Sequence, residues 1–318
     1  MNNLIMSIVF ASDNETKLNE LTIHRTTASL PFCGRYRFID FTLSNLVNSN
    51  ITTIGIVTRS NYSSLTDHLR MGRDWDLNRK NSGIAIFSPY SSNTSRSMFK
   101  GKIEAMYGIL DYMERASEEY VIVTNSNIAS NIDFEDVYSQ HVSNGADITM
   151  LTYTSHPTSS KRVIVDKDFT GRVTGVRLTS NASEEQCEVG LNIYLIKKNL
   201  LMSLITDSYE RGNLDFEKNI IQQKADTLSI YCYHVDGYAA IIDDVKSYYT
   251  ESMRILEPAV RNDLFYRYGK IFTKVKDSVP TRYREDAEVK NSLIADGCDI
   301  AGKVENSILF RGVVVEEG

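Results

Sequence analysis

Leu4-Ile-Met-Ser-Ile-Val-Phe-Ala11 is an apolar run with the length of a single buried β-strand. Similar runs recur at residues 51–58, 120–124 and 147–153, and helical patterns cover residues 39–48, 63–71 and 102–115. A further helix is predicted to begin near Asp133. Strands that alternate with helices over about 150 residues indicate an α/β fold with a mostly parallel sheet covered on both faces. Ligands of such sheets bind beyond the carboxyl ends of the strands, which directs attention to the loops after residues 11 and 124.

The pattern changes after residue 153. A hairpin is predicted from residues 162–165 and 172–178, which flank an Asp-Phe-Thr-Gly turn. The segments that follow are predicted to be strands at 189–196, 228–234 and 238–242 and helices at 200–208, 215–223 and 245–256. Pro258 marks the expected boundary between a domain of residues 1–256 and a domain of residues 257–318.

The last segment contains a short repeat. Val289-Lys-Asn-Ser-Leu-Ile294 recurs fifteen residues later as Val304-Glu-Asn-Ser-Ile-Leu309. This spacing is typical of the hexapeptide coils of a left-handed parallel β-helix, in which several coils are needed to bury a continuous core. Since the sequence ends at Gly318 after one or two coils, we expect either a truncated β-helix or a stub that packs against a neighbour.

Composition excludes several classes of protein. The net charge of -6 argues against a general affinity for nucleic acid, and no apolar run approaches the roughly 20 residues needed to span a membrane. No basic segment precedes the first apolar run, so no signal peptide is expected. The four cysteines are isolated in the sequence, which favours reduced, buried thiols in a cytoplasmic protein.

Residues 30–58 resemble a known family. The segment Leu30-Pro-Phe-Cys-Gly-Arg-Tyr-Arg-Phe-Ile-Asp-Phe-Thr-Leu-Ser-Asn-Leu-Val-Asn-Ser49 is similar to a motif of bacterial ADP-glucose pyrophosphorylases, the glucose-1-phosphate adenylyltransferases. Residues 64–69, 237–249 and 271–294 resemble later family motifs, and the C-terminal third is most similar to regulatory, non-catalytic GlgD-type subunits. The resemblance implies a Rossmann-like, GT-A-like nucleotidyltransferase fold with a mixed, mostly parallel sheet, followed by the left-handed β-helix.

The chain departs from the family pattern at the phosphate-binding loop. Family members have a glycine-rich loop whose backbone N–H groups approach the phosphates, and side chains there obstruct that approach. Three of the glycine positions are occupied here by Ser12, Asp13 and Glu15. The basic positions of this region are occupied by Asn14, Lys17 and Thr27, so one positive charge remains. The two carboxylates are also expected to repel a triphosphate.

The metal-binding carboxylates of the family are missing as well. Ser126 and Asn219 occupy the two positions, and neither a hydroxyl nor an amide is an adequate Mg²⁺ anchor by itself. Residues 176–180 correspond to the family's sugar-phosphate segment, and its lysine is absent there. Arg177 could partly replace the positive charge of that lysine, although this part of the chain aligns only loosely with the family. No cofactor is therefore expected, although catalytic homologues use Mg²⁺.

Some family features are retained. His24, Arg25 and Arg37 fall at positions that the family uses for anionic activators, and Arg35 lies close by in the sequence. These residues either bind an anionic effector such as a sugar phosphate or form ordinary surface ion pairs. Glu104 keeps the negative charge that the family has in its nucleotide-binding segment. We nevertheless interpret it as a residue on the surface of a helix.

Isolated aromatic and histidine residues are interpreted as structural. Trp75 is predicted to be a packing anchor, and His68 and His141 are each predicted to be structural rather than ligating. The pair Tyr248-Tyr249 could belong to the core or to an interface.

Three functions remain open. The leading hypothesis is a regulatory subunit that pairs with a catalytic homologue, in a heterotetramer, and raises ADP-glucose synthesis for glycogen. The first alternative is an active nucleotidyltransferase with a divergent loop, in which Lys17, Glu104 and Asp215 take substitute roles. The second is a sensor of sugar phosphates or nucleotides that binds without turnover.

Overall fold

The computed structural model describes residues 4–11, 17–59, 61–80, 82–88, 99–157 and 160–317. Its strands are β1 (Ile5–Phe10), β2 (Pro31–Phe32), β3 (Tyr36–Arg37), β4 (Thr53–Val57), β5 (Gly83–Phe87), β6 (Tyr120–Asn125), β7 (Ile128–Ser130), β8 (Ile148–Ser155), β9 (Arg162–Lys167), β10 (Val173–Thr179), β11 (Cys187–Lys197), β12 (Ile230–His234), β13 (Ala239–Ile241), β14 (Arg282–Tyr283), β15 (Glu288–Lys290), β16 (Leu293–Ile294), β17 (Asp299–Ile300), β18 (Lys303–Glu305), β19 (Ile308–Leu309) and β20 (Val314–Val315). Its α-helices are α1 (Phe38–Asn48), α2 (Ser63–Leu69), α3 (Lys102–Tyr107), α4 (Leu110–Arg115), α5 (Phe134–Ser143), α6 (Lys198–Glu210), α7 (Val245–Arg254) and α8 (Pro258–Tyr266).

A nine-stranded mixed sheet forms the centre of the protein. Its main path runs in the order β10, β9, β11, β6, β1, β4 and β5, and β8 joins it by pairing with β11 and β12. The pairs β1–β4, β1–β6, β4–β5 and β8–β12 are parallel, so six of the nine strands have a parallel partner. The antiparallel ladders all involve β9 or β11. The prediction of an α/β fold with a mixed, mostly parallel sheet is confirmed.

The sheet is buried on both faces. Successive side chains of β1 alternate between two hydrophobic clusters, with Ile5 and Val9 in one and Met6, Ile8 and Phe10 in the other. A strand that is buried on both sides needs a nearly continuous apolar sequence, which is why the first run of the chain shows no alternation of polar and apolar residues. Its one polar residue, Ser7, is buried and donates a hydrogen bond to the carbonyl of Ile122 at 3.1 Å. Trp75 packs in the first cluster, as predicted.

Two predicted helices differ from the structure. The segment 102–115 was expected to be one helix, but it forms α3 and α4, which are separated at Gly108 and Ile109. Glycine in a helix interior is disfavoured by about 1 kcal/mol relative to alanine, and the break occurs where this cost arises. The segment predicted as a helix at 215–223 contains a π-helix, Glu217–Gln222, rather than a regular α-helix. Short π-helical segments occur frequently at functional sites.

The helix predicted near Asp133 begins there. Asp133 is the N-cap of α5, and its side chain accepts a hydrogen bond from the backbone N–H of Glu135 at 2.9 Å.

The two histidines interpreted as structural are also buried and bonded: His68 contacts Asp40 at 2.5 Å, and His141 contacts Thr149 at 2.8 Å.

The C-terminal strands form stacked parallel coils. Val289 pairs with Val304 and Ile294 with Leu309, so the ladders follow the fifteen-residue sequence repeat. Ile300 and Val304 lie in the small apolar core of this stack. Parallel pairing at a fixed offset is the pattern that a β-helix requires. Helix α8, which begins at Pro258, packs through Val260 and Leu264 in the same cluster as residues of β2 and α1; the domain boundary at residue 257 stays a prediction.

Two further expectations concern thiols and membranes. All four cysteines are free thiols; Cys33 and Cys298 are buried, while Cys187 and Cys232 are partly exposed. None of the helices in the described ranges has both the length and the apolar character to cross a membrane.

Candidate functional site

A cleft of about 310 Å³ opens beyond the carboxyl ends of β1 and β4. This is the edge at which ligands of parallel α/β sheets bind. Phe10 and Val57, the last residues of these two strands, form part of its floor. The remaining walls come from the start of α3, the start of β9 and the segment that leads into the π-helix. The charged residues that line the cleft are Arg59, Lys100, Lys102, Lys161, Asp215 and Glu217.

Two of these lysines are already paired with carboxylates of the protein. Lys102, at the first position of α3, forms an ion pair with Glu217, and both side chains are largely buried. Lys161 Nζ lies 2.5 Å from Asp215 Oδ2 in a half-exposed position. A lysine that is paired in this way must lose its partner before it can neutralise a bound phosphate. The cleft therefore satisfies its own charges, at least in part.

Asn219, which the resemblance places at a metal position of the family, has a role in local structure. It is 9% exposed, and its side-chain Oδ1 accepts a hydrogen bond from the backbone N–H of Asp215 at 3.1 Å. Burial opposes ionisation of Asp215, but hydrogen bonds from Lys161 and from the backbone of Lys218 outweigh it and hold the pKa of Asp215 below its usual value. The amide of Asn219 thus helps to fix the entry to the π-helix.

Ser126, at the other metal position, is almost completely buried. Its exposed fraction is 1%, and its backbone N–H donates to the carbonyl of Phe10 at 3.0 Å. Among the residues that the structure describes, no group of three or more His, Cys, Asp or Glu side chains could hold a metal ion. Hard divalent cations prefer several oxygen ligands, carboxylates above all, so the described residues around Ser126 and Asn219 do not by themselves form a Mg²⁺ site.

The phosphate-loop residues are only partly described. Ser12, Asp13, Asn14 and Glu15 lie outside the described residues. Lys17 Nζ donates a hydrogen bond to Ser160 Oγ at 3.3 Å, which turns it toward the segment before β9. Thr27 is fully buried, and its carbonyl accepts the backbone N–H of Leu30 at 3.1 Å.

Glu104 and Lys100 interact with each other beside the cleft. Glu104 Oε2 accepts a hydrogen bond from the backbone N–H of Lys100 at 2.5 Å. This contact orders the turn that precedes α3. The three residues considered for substitute catalytic roles, Lys17, Glu104 and Asp215, therefore each have a local bonding partner.

Arg37 lies at a second location, where the charges of two other arginines act on it. Arg37 donates through Nη1 to the carbonyl and the hydroxyl of Ser64, at 2.8 Å and 3.0 Å. Burial lowers the pKa of Arg37, and the positive charges of Arg25 and Arg311 lower it further, against the opposing effect of Asp40 and Asp67. Arg25, Arg37 and Arg311 thus interact electrostatically although they are far apart in the sequence. His24 and Arg35 are exposed, and Arg35 lies over the ring of Tyr36 at 5.5 Å.

Sequence reasoning missed several site residues, among them Lys161, Glu217 and Arg311. Lys161, Glu217 and Arg311 carry no local motif, and each becomes relevant only through a partner that is distant in sequence. Glu217 is 115 positions from Lys102, Lys161 is 54 positions from Asp215, and Arg311 belongs to the last coil of the C-terminal stack. The fifteen-residue repeat was the single sequence signal that bears on Arg311, because it places this residue in a coil. It does not predict which part of the chain the coils lie against.

This fold, with a cleft at the carboxyl edge of its sheet, defines a nucleotidyltransferase architecture. The nucleotidyl transferase family model matches residues 6–227, and the chain belongs to this family.

Individual relatives narrow the comparison. The chain is 34% identical to the glycogen biosynthesis protein GlgD of Bacillus subtilis (strain 168) over 317 residues, which cover 100% of this chain and 82% of the relative. It is 36% identical to the protein of the same name from Geobacillus stearothermophilus, over 100% of this chain and 83% of the relative. It is 31% identical to the glucose-1-phosphate adenylyltransferase of Fervidobacterium nodosum, over 99% of this chain and 76% of the relative. The resemblance expected from residues 30–58 is confirmed.

Proposed function

We propose that the chain is a non-catalytic regulatory subunit of glucose-1-phosphate adenylyltransferase that acts in glycogen biosynthesis. One observation carries the proposal: Ser126 and Asn219, which the resemblance places at the family's metal positions, have neutral side chains that are buried or bonded to the backbone. The reaction joins two anionic substrates, and its developing charge is normally stabilised by a metal and basic groups. Neutral side chains at these two positions remove the metal's share of that stabilisation, and two of the four lysines and arginines that line the cleft are ion-paired with carboxylates of the protein.

The proposed action is preferential binding to a catalytic homologue in a hetero-oligomer, such as a heterotetramer. A subunit that binds the active conformation more tightly than the inactive one shifts the population toward activity without doing chemistry. The coupling between the two subunits is a free-energy difference, usually about 1–3 kcal/mol, which corresponds to a five- to 150-fold change in affinity. Cytoplasmic localisation is part of this proposal, because the substrates of glycogen synthesis are cytoplasmic.

Reconstitution with a catalytic subunit tests this function. The purified chain is mixed with the glucose-1-phosphate adenylyltransferase of its own source, and ADP-glucose formation and oligomer size are measured together. We expect no product from the chain alone, a larger complex on mixing, and a higher rate or a stronger response to activators. An unchanged rate, activation response and oligomer size would refute the proposal.

The arginines near Ser64 are proposed to hold an anionic effector of this complex. The positive charges of Arg25 and Arg311 both act on Arg37, the N-cap residue of α1, and Arg311 Nε also lies 3.7 Å from Asp296 Oδ2. Guanidinium groups bind phosphate in a bidentate manner, so a sugar phosphate is the expected class of effector, with His24 and Arg35 at the exposed margin. Replacement of Arg25 by Gln, at a residue without a role in the fold core, should weaken activation by fructose 1,6-bisphosphate in the reconstituted complex.

A second candidate function is a sensor that binds nucleotides or sugar phosphates without turnover. It is favoured by the charge of the cleft, whose lining includes four basic side chains and two acidic ones. Calorimetry with ATP, ADP-glucose and fructose 1,6-bisphosphate, on the chain alone and without Mg²⁺, distinguishes this function. Saturable binding together with no effect on a catalytic partner supports the sensor over the regulatory subunit.

A further inference from the structure

A second cavity lies on the opposite face of the sheet from the cleft. Its volume is about 280 Å³, and it is formed by the ends of β8 and β12, by β13 and by α7. Lys161 and Val163 face the cleft whereas Arg162 faces this cavity, as expected for successive residues of an extended strand. We propose that this cavity binds an uncharged, hydroxyl-rich ligand of the size of a hexose unit.

The cavity contains a buried guanidinium with unused donors. Arg162 is 4% exposed and forms an ion pair with Asp243, which is fully buried. Within the described residues, both hydrogen bonds of Arg162 use Nη1, which leaves Nε and Nη2 for a ligand. None of the described residues donates a hydrogen bond to Asp243 Oδ1. Buried polar atoms are nearly always hydrogen-bonded, so the buried Oδ1 of Asp243, whose partner Arg162 lines the cavity, indicates that a hydrogen-bonding group is supplied from the cavity.

The opposite wall combines an aromatic ring with a second arginine–carboxylate pair. The hydroxyl of Tyr238 donates to Glu251 Oε2 at 2.9 Å, and Arg254 Nη1 lies 3.1 Å from the same oxygen. The guanidinium of Arg254 also lies over the Tyr238 ring, 5.3 Å from its centroid. Such a wall presents donors, acceptors and an apolar surface together. Sugars need all three, because each hydroxyl both donates and accepts while the C–H faces are apolar.

The charge balance selects an uncharged ligand over an anion. The lining includes two arginines, Arg162 and Arg254, and two acidic residues, Asp236 and Glu251. Asp243 adds a further negative charge behind Arg162. The histidine of the lining, His234, contacts the carboxylate of Glu188 at 2.8 Å. The cleft has more basic than acidic groups, whereas the basic groups of this cavity do not outnumber its acidic groups. A phosphate is therefore not attracted to this cavity by net charge.

Binding of glucose and maltotriose to the full chain tests this inference by ligand-observed NMR and calorimetry. We expect saturable binding of at least one of these sugars, weakened about tenfold or more by Arg254→Ala. The matched control is Arg211→Ala, which removes an arginine of a similar helical ion pair, Arg211–Asp207, and should leave binding unchanged. Ser155→Trp, which places a large ring at the rim of the cavity, should abolish binding while the thermal unfolding midpoint is retained.

The inference is overturned if neither sugar binds, or if Arg254→Ala and Ser155→Trp bind as well as the unmodified chain. It is equally overturned if glucose 1-phosphate or inorganic phosphate binds with sensitivity to Arg254→Ala while the neutral sugars do not. No catalytic subunit is present in these experiments. Their failure therefore leaves the proposed regulatory function untouched, and failure of the reconstitution leaves sugar binding untouched.

Discussion

Lys102 at the start of α3 is ion-paired with Glu217 at the start of the π-helix, and the pair closes one side of the cleft. The two segments also meet through their backbones, since Ile103 N–H donates to the carbonyl of Leu214 at 3.3 Å. A side chain at Gly101 would meet this same carbonyl at 2.2 Å, which explains why glycine precedes the helix. The ion pair thus belongs to a close contact between two parts of the chain that are distant in sequence.

Glu217→Gln should destabilise the protein by about 3 kcal/mol or more. The substitution removes the carboxylate of Glu217 from a largely buried ion pair, and the loss of one charge of such a pair is costly. Urea unfolding measures the loss. Asp207→Asn, which breaks the exposed pair with Arg211, should cost less than about 1 kcal/mol. Equal effects of the two substitutions would show that the Lys102–Glu217 contact contributes no more than a surface pair.

His141 should make stability decrease as the pH falls from about 6.5 to about 4. Burial is the largest cause, and with Lys197 it lowers the pKa of His141 from 6.5 to about 4 against the opposing effect of Asp147. The folded protein therefore takes up this proton at lower pH than the unfolded chain does. The stabilising contribution is fully present above the pKa of the unfolded chain and is lost as the pH falls. The loss amounts to about 3 kcal/mol once the pH has passed below the pKa of the folded protein.

His141→Gln isolates this contribution, since glutamine can still bond with Thr149 but does not titrate. The free energy of unfolding should show a weaker dependence on pH between 4 and 6.5 than in the unmodified chain, and the imidazole pKa can be followed by NMR. His24→Gln, at an exposed position, serves as the matched control and should keep the original dependence. A pH profile that His141→Gln leaves unaltered contradicts the prediction.

The sequence predicted elements better than it predicted contacts. The two-sided burial of β1, the cap at Asp133 and the coil repeat of Val289 and Val304 all follow from local patterns. The break between α3 and α4 and the π-helix were missed, because tertiary packing decides backbone geometry at such positions and a residue pattern does not record it. The pairs Lys102–Glu217 and Lys161–Asp215 could not be predicted, since each depends on how distant segments are placed by the sheet.

Asn306→Ala should destabilise the C-terminal stack more than Asn306→Gly does. Asn306 has φ 48°, in the left-handed region, and its Oδ1 accepts a hydrogen bond from Asn291 Nδ2 at 2.7 Å. Alanine loses the hydrogen bond and is strained at this φ, whereas glycine loses the hydrogen bond alone. The difference between the variants should be about 1–2 kcal/mol, measured by thermal unfolding. Equal midpoints would remove the backbone argument.

Restoring both family carboxylates should not create an enzyme. Ser126→Asp places an ionisable group at a position that is 1% exposed, and Asn219→Asp places a second carboxylate beside Asp215. We expect Ser126→Asp to lower the free energy of unfolding by about 2 kcal/mol or more, because a buried charge without a partner is costly. An aspartate oxygen at position 219 can still accept the hydrogen bond from the backbone N–H of Asp215. Asn219→Asp alone should therefore destabilise the protein less than Ser126→Asp does.

Pyrophosphate release from ATP and glucose 1-phosphate in the presence of Mg²⁺ measures the outcome for the double variant. None is expected, because Ser12, Asp13, Glu15 and Thr27 still depart from the family phosphate loop and Lys102 and Lys161 are still paired within the cleft. The catalytic homologue provides the positive control for the assay. Turnover by the double variant would mean that two missing carboxylates alone account for the inactive site, and that the rest of the cleft remains competent for transfer.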